Sequence, residues 1–234
     1  MTAPSITIFD DRERLTAAAT DHVASALRDA LRDRALATLL CAGGSTPGPV
    51  YSRLSDIDLD WSQITIGLTD ERWVDEAHAA SNAAFIKRTL IQNLAKPATL
   101  IPMVSDPNRS AFDEAEVIDA VYAQHFPSPD IAVVGMGPDA HTLSWFPGAE
   151  GLAAALDSNT KTTIAAIEAR PSDVTGPNTT RMTLTLPAII KAKQILLLVT
   201  GEDKRRVLEK MSPDTPIAHL IQAAGSRLTT YWAP

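Results

Sequence analysis

Asp130-Ile-Ala-Val-Val-Gly-Met-Gly-Pro-Asp-Ala-His-Thr-Leu-Ser-Trp-Phe-Pro147 decides the fold. Ile131 to Val134 is an unbroken apolar run that empties into Gly135-Met-Gly137, a turn that delivers Asp139 and His141 together. An apolar run without alternation is the pattern of a strand buried on both faces, which belongs to a parallel sheet covered by helices. Ligands of such sheets bind beyond the carboxyl ends of the strands. The stretch therefore predicts an α/β enzyme and puts an imidazole, able to take a proton near neutral pH, where a substrate would sit.

The flanking sequence repeats the pattern. Leu15, Ala19, Val23, Leu27 and Leu31 recur every four residues as a helix stripe, and Leu36 to Cys41 follows as a buried strand closed by Gly43-Gly44. Further strands are predicted at Ile64–Leu68, Thr99–Val104, Thr162–Ile167 and Ile195–Val199, with an edge strand at Arg227–Trp232. Helices are predicted at His78–Leu94, on the face Phe112, Ile118, Val121 and Tyr122, at Met182–Lys191 despite Pro187, and at Glu202–Met211. This alternation implies a mostly parallel sheet covered by helices on both faces. No internal repeat, low-complexity tract or long linker interrupts it, so residues 1–234 are expected to form a single domain.

Composition excludes several classes. With 45% hydrophobic and 21% charged residues the chain is globular. A net charge of -7 gives no global attraction for nucleic acid or anionic membrane, so an anionic ligand must be held by a local cluster. The single cysteine, Cys41, cannot form an internal disulfide and is expected to be a small buried side chain. Met1 to Asp11 has neither the basic start nor the apolar stretch of a signal peptide, and no apolar run reaches membrane-spanning length. A cytoplasmic location is expected.

Four segments carry candidate chemistry. In Gly43-Gly44-Ser45-Thr46-Pro47-Gly48, after a strand and before a helical Val50–Leu54, Thr46 can cap and Pro47 suits the first helical position. Glycines there let backbone N–H groups approach an oxyanion or phosphate. No lysine stands where a P-loop needs one, and Pro47 occupies the last glycine of G-x-S-x-G, so Ser45 reads as a donor rather than a nucleophile. Asp70-Glu71-Arg72 follows the strand ending at Leu68; it is either a solvated loop or a site in which Arg72 clamps an oxygen. Gly135-x-Gly137-x-x-Ala140 fits the permissive dinucleotide fingerprint, but Pro147 would truncate the helix that reading requires. Arg181 precedes an apolar stretch, and Lys204 stands in the first turn of a helix, where a cation opposes the macrodipole and invites an anionic partner. His22, His78, His125 and His219 are given no role.

Gly43-Gly-Ser-Thr-Pro47, Asp70-Glu-Arg72 with Ser81-Asn82, Gly135 to Thr142 running into Phe146-Pro147, Arg181 to Pro187, and Val199-Thr-Gly201 with Lys204 resemble, in that order, the 6-phosphogluconolactonase family of the glucosamine-6-phosphate isomerase/deaminase-like superfamily. The resemblance implies a sugar-phosphate isomerase/deaminase-type fold, a Rossmann-like three-layer α/β sandwich with a mostly parallel sheet. It also implies hydrolysis of 6-phospho-D-glucono-1,5-lactone to 6-phospho-D-gluconate in the pentose phosphate pathway, without a cofactor or metal. By the same resemblance His141 is the general base and Asp139 orients it or binds a sugar hydroxyl, with Asp70 beside Arg72, which steadies charge on the carbonyl or ring oxygen. By that resemblance Gly44, Ser45, Thr46, Arg181 and Lys204 are expected to form the phosphate cradle, with Gly43, Asn82 and Gly137 in the pocket, Asn82 without an assigned role.

Two residues depart from the family pattern. Ala140 stands where glycine is usual, which imposes strain or a shifted turn if that position needs a positive φ, and Trp145 replaces a smaller residue and is expected to reshape a pocket wall. Three rivals remain. Glucosamine-6-phosphate deaminase shares the phosphate loop but carries a further carboxylate where Phe146 stands here. The others are a sugar-phosphate-binding protein without turnover and a dinucleotide oxidoreductase.

Overall fold

In chain order the elements are β1 (Ile6–Ile8), α1 (Arg12–Arg34), β2 (Ala37–Cys41), α2 (Gly48–Leu54), β3 (Ile64–Leu68), β4 (Asp70–Arg72), α3 (Asn82–Thr89), β5 (Thr99–Leu100), α4 (Ala111–His125), β6 (Ile131–Gly135), α5 (Leu152–Leu156), β7 (Ile164–Glu168), β8 (Thr180–Leu184), α6 (Leu186–Ile189), β9 (Gln194–Thr200), α7 (Glu202–Lys210), α8 (Pro216–Ala224) and β10 (Leu228–Ala233). The structure, a computed structural model, describes residues 5–234; Met1 to Pro4, the start of the stretch without a leader pattern, lie outside the described residues.

Seven strands form a parallel sheet in the order β1-β10-β9-β6-β2-β3-β5. The chain winds outward from β2 to β3 and β5, returns to β6, and then winds the other way to β9 and β10. Neighbouring β2 and β6 therefore send their following loops to opposite sides, and the crevice between their carboxyl ends is the sheet's switch point. Both glycine-bearing segments begin there.

The helix stripe of α1 packs as its spacing dictates. Leu15, Ala19, Val23 and Leu27 are fully buried, and Leu31 is partly buried against the same core. Asp11 caps the helix by accepting from the Arg14 N–H at 2.7 Å, and a left-handed Ala35 ends it, its N–H donating to the Leu31 carbonyl. Beneath it, Asp130 opens β6 as a buried carboxylate between Arg34 and Lys193 that also accepts from the Thr38 N–H at 2.9 Å. Burial raises the Asp130 pKa, but those donors outweigh it and hold the group below the usual carboxylate range. Cys41 is fully buried at the end of β2, and burial pushes its thiol up to about 12. Among the described residues no helix is long and apolar enough to cross a membrane.

Several expected elements are redrawn. Met182–Lys191 is not a helix: strand β8 ends at Leu184 and only the single turn α6 follows, because β8 is paired on both sides, by β4 and β7. Those three strands form a second, antiparallel sheet, and the strand expected near Thr162–Ile167 belongs to it rather than to the main sheet. The carboxyl-terminal strand is interior, because Ile6–Ile8 supplies an outer strand too short to be read from sequence. Helix α3 starts only at Asn82, where Ser81 Oγ accepts from the Ala84 N–H, and β5 stops at Leu100, two residues before Pro102. Of the face expected on α4, Ile118 and Tyr122 are buried, whereas Phe112 and Val121 face solvent.

Candidate active site

The first wall of the site is the loop after β2. Tyr51 Oη donates to the Ala42 carbonyl at 3.0 Å, and Thr46 Oγ1 lies 3.0 Å from Thr200 Oγ1, which ties the loop to the end of β9 just before Lys204. Thr46 does not cap α2: the helix begins at Gly48, Pro47 is the capping residue, and no side chain accepts there.

The second wall is the turn after β6. The Gly137 N–H donates to the His141 carbonyl and the Ala140 N–H to the Gly137 carbonyl, so the turn closes on itself and no helix follows the strand. That removes the helix start a dinucleotide fingerprint requires. His141 Nδ1 is 2.5 Å from Asp139 Oδ1, and the imidazole side chain is 18% exposed. Burial pushes the Asp139 pKa up, but the hydrogen bond and charge of His141 outweigh it, leaving the carboxyl below its ordinary range. Ala140 has φ +65°, the left-handed conformation that favours glycine, and its carbonyl accepts from the Ile217 N–H in the first turn of α8, which holds the residue in place. Replacing Ala140 by glycine relieves about 1–2 kcal/mol of left-handed strain. It also forfeits about 0.8 kcal/mol of methyl burial and frees the unfolded chain by about 0.4–1 kcal/mol. Ala140→Gly is therefore expected to change unfolding free energy in urea by no more than about 1 kcal/mol.

The third wall comes from the small sheet. Past β3 the chain leaves the main sheet as β4 and pairs with β8, setting Asp70 opposite Thr183 and Arg72 opposite Arg181. Directly opposed like charges are destabilising. Arg181 is only 3% exposed, donates through Nη2 to the Thr175 carbonyl at 2.7 Å, and its buried Nε has no partner among the described residues. Burial and then the nearby Arg72 lower its pKa to about 10, so it remains charged at neutral pH. An anion between the two guanidiniums would relieve their repulsion. Arg72 Nη1 itself donates to the Ala80 carbonyl.

Asn82 has a structural role that the sequence left unassigned. Its Nδ2 donates to the Asp70 carbonyl at 2.8 Å, and its Oδ1 would lie 2.0 Å from a Cβ added at Gly43, so Gly43 is glycine because Asn82 fills that space. Glu71, buried behind the strand, accepts from the N–H groups of Arg72, Asn82 and Ala83 and brackets the start of α3. Burial raises its pKa, and those donors partly offset the rise.

All three walls face one cavity of about 420 Å³, lined among others by Gly43, Gly44, Ser45, Thr46, Asp70, Arg72, Asn82, Gly137, His141, Arg181 and Lys204. Asp139 is the one expected site residue outside the lining; it lies behind the imidazole, which suits orientation rather than sugar binding. Lys204 is half-buried; burial lowers its pKa and the charge of Asp139 acts against that. Trp145 does not reshape the pocket: it is fully buried in the core, with its indole N–H donating to the Leu184 carbonyl at 2.9 Å. Its neighbour Phe146 lines the wall instead, 4.4 Å from the His141 ring centroid and 5.6 Å beneath the Arg181 guanidinium. Asp173 and Val174 also reach the cavity, from a loop with no strand or helix pattern to reveal it.

Fold and cavity define an α/β protein whose residue-lined cavity lies at the switch point of a doubly wound sheet. Residues 10–232 match the family model for glucosamine-6-phosphate isomerases/6-phosphogluconolactonase. The chain is 35% identical over 230 residues to a 6-phosphogluconolactonase of Mesorhizobium japonicum, covering 97% of this chain and 94% of that one. It superposes with a TM-score of 0.87 on the crystal structure of a 6-phosphogluconolactonase from Shewanella baltica, at 32% identity, covering 98% of this chain and 97% of that chain. A monomeric glucosamine-6-phosphate deaminase shares the fold, with a TM-score of 0.76 at 20% identity, covering 98% of this chain and 97% of that chain. The chain belongs to the glucosamine-6-phosphate isomerase/6-phosphogluconolactonase family, on the side of the 6-phosphogluconolactonases.

Proposed function

We propose that this protein hydrolyses 6-phospho-D-glucono-1,5-lactone to 6-phospho-D-gluconate in the pentose phosphate pathway, as a cytoplasmic enzyme whose residues 1–234 act as one domain. The observation that carries this reading is the placement of the His141–Asp139 pair and the cations Arg72, Arg181 and Lys204 around one cavity. With Nδ1 donating to Asp139, the lone pair of Nε2 is free to take a proton from water as it attacks the lactone carbonyl. Arg72 steadies the oxyanion of the tetrahedral intermediate. The loop Gly44–Thr46, with Arg181 and Lys204, receives the phosphate. An activated ester needs no covalent nucleophile, so a positioned base and oriented charge suffice.

Phe146 favours hydrolysis over deamination. It packs on His141 where the resemblance places the ring-opening carboxylate of a deaminase, and a phenyl ring supplies no proton. The direct test is loss of freshly generated 6-phosphogluconolactone above its spontaneous rate. Sugar-phosphate binding without such turnover would instead favour a non-catalytic binding protein. Arg181→Ala is expected to raise KM about tenfold or more with a smaller change in kcat, because an anion contact made equally in ground and transition states governs capture. Steady-state kinetics with both parameters at wild-type values would remove Arg181 from the cradle.

A further inference from the structure

Ser144 lies three residues past His141, in the same turn, and is fully buried. Both of its donors leave the turn for the small sheet. Its Oγ donates to Asp70 Oδ2 at 2.6 Å, and its N–H donates to Thr183 Oγ1 at 3.3 Å. Asp70 and Thr183 are directly opposed in the β4–β8 pairing, so one residue grips both strands.

The backbone around it is arranged to keep it there. Leu143 has φ +51°, a left-handed conformation unfavourable for leucine, and Leu143 itself lines the cavity. The turn is pinned on either side of this residue: Thr142 Oγ1 donates to the Gly135 carbonyl at 2.8 Å and the Trp145 N–H to the Thr142 carbonyl at 3.0 Å. Strain that the surroundings over-determine in this way points to a position the site requires. The other Asp70 oxygen receives only the hydroxyl of its neighbour Thr69, at 3.2 Å, a longer bond that cannot tie Asp70 to the histidine turn.

We infer that Ser144 is a positioning residue for the hydrolysis: its hydroxyl fixes the Asp70 carboxylate and sets the separation across the cavity between the His141 turn and the Asp70–Arg72 strand. This role presupposes lactone hydrolysis with His141 as base. Serine suits it because it is small enough for the closed interior and donates to a carboxylate that would otherwise be buried without that partner.

The test compares the wild type, Ser144→Ala, Asp70→Ala and the double variant in lactone hydrolysis. Ser144→Ala is expected to lower kcat about tenfold with KM changed less than about twofold, because misplacement of reacting groups acts on turnover. The double variant should be no slower than Asp70→Ala alone, since a residue acting through Asp70 has nothing left to hold. A kcat for Ser144→Ala within about twofold of wild type, or losses that multiply in the double variant, would overturn the inference. Ser144→Cys, similar in size with a weaker donor, should fall between serine and alanine in kcat, and that ordering decides the matter if Ser144→Ala does not fold. A crystal structure of Ser144→Ala supplies a readout independent of activity. An unmoved Asp70 side chain would overturn the positioning role, whereas a wild type without turnover would fail the lactonase reading alone.

Discussion

His141→Ala is expected to lose about 10²- to 10⁴-fold in turnover, the range that a positioned general base contributes, while still binding 6-phosphogluconate. The expectation rests on geometry. Among the described residues the imidazole is the only histidine side chain lining the cavity, and it is oriented from behind by Asp139. The cationic groups stand on other elements, Arg72 on β4, Arg181 on β8 and Lys204 on α7, so removing the ring leaves the proposed phosphate contacts in place. Turnover is read as lactone consumption above the spontaneous rate, and binding as calorimetric titration with the product. Unchanged turnover would overturn the base assignment, and loss of binding together with turnover would mean that His141 holds the substrate instead.

Gly137→Ala is expected to lower kcat about a hundredfold without removing any ionisable group, the scale of a displacement of about 1 Å at the reacting centre. A Cβ at this position would lie 2.1 Å from His141 Cε1, 2.2 Å from His141 Nδ1 and 2.8 Å from Asp139 Oδ1. The ring has no easy retreat, because Phe146 packs against it at 4.4 Å between centroids. The methyl group therefore pushes the pair out of register, and the double variant Gly137→Ala with His141→Ala should be no slower than His141→Ala alone. Wild-type kinetics for Gly137→Ala would mean that the turn opens without penalty and that the pair is not fixed by it.

Much of this was legible because it is local. The apolar run Ile131–Val134, closed by glycines, read as a buried strand, the four-residue stripe from Leu15 read as a helix, and the glycines after β2 and β6 marked strand ends at which parallel sheets bind ligands. The strain at Ala140 was raised by the family resemblance, which has glycine there, as a condition that the observed φ of +65° meets. Met182–Lys191 was misread as one unit: Met182-Thr-Leu-Thr-Leu186 alternates with the period of a strand, whereas the apolar Ala188-Ile-Ile190 after Pro187 suits a helical turn. The partners β4 and β7 fix the first half as a strand. Similarly, Trp145 and Phe146 are adjacent aromatics in the chain, and nothing in their order says which enters the core and which the pocket.

The sequence by itself determined a mostly parallel α/β protein and the residue types of its chemistry, because side-chain periodicity and turn glycines act over a few residues. The tertiary structure alone decided that Arg72 faces Arg181, that Asp139 stands behind the imidazole, that Asn82 fills the space beside Gly43, and that Ser144 reaches Asp70. Each of these depends on the register between segments distant in the chain or on the direction of one side chain in a tight turn. Packing and hydrogen-bond satisfaction set both only when the whole core closes.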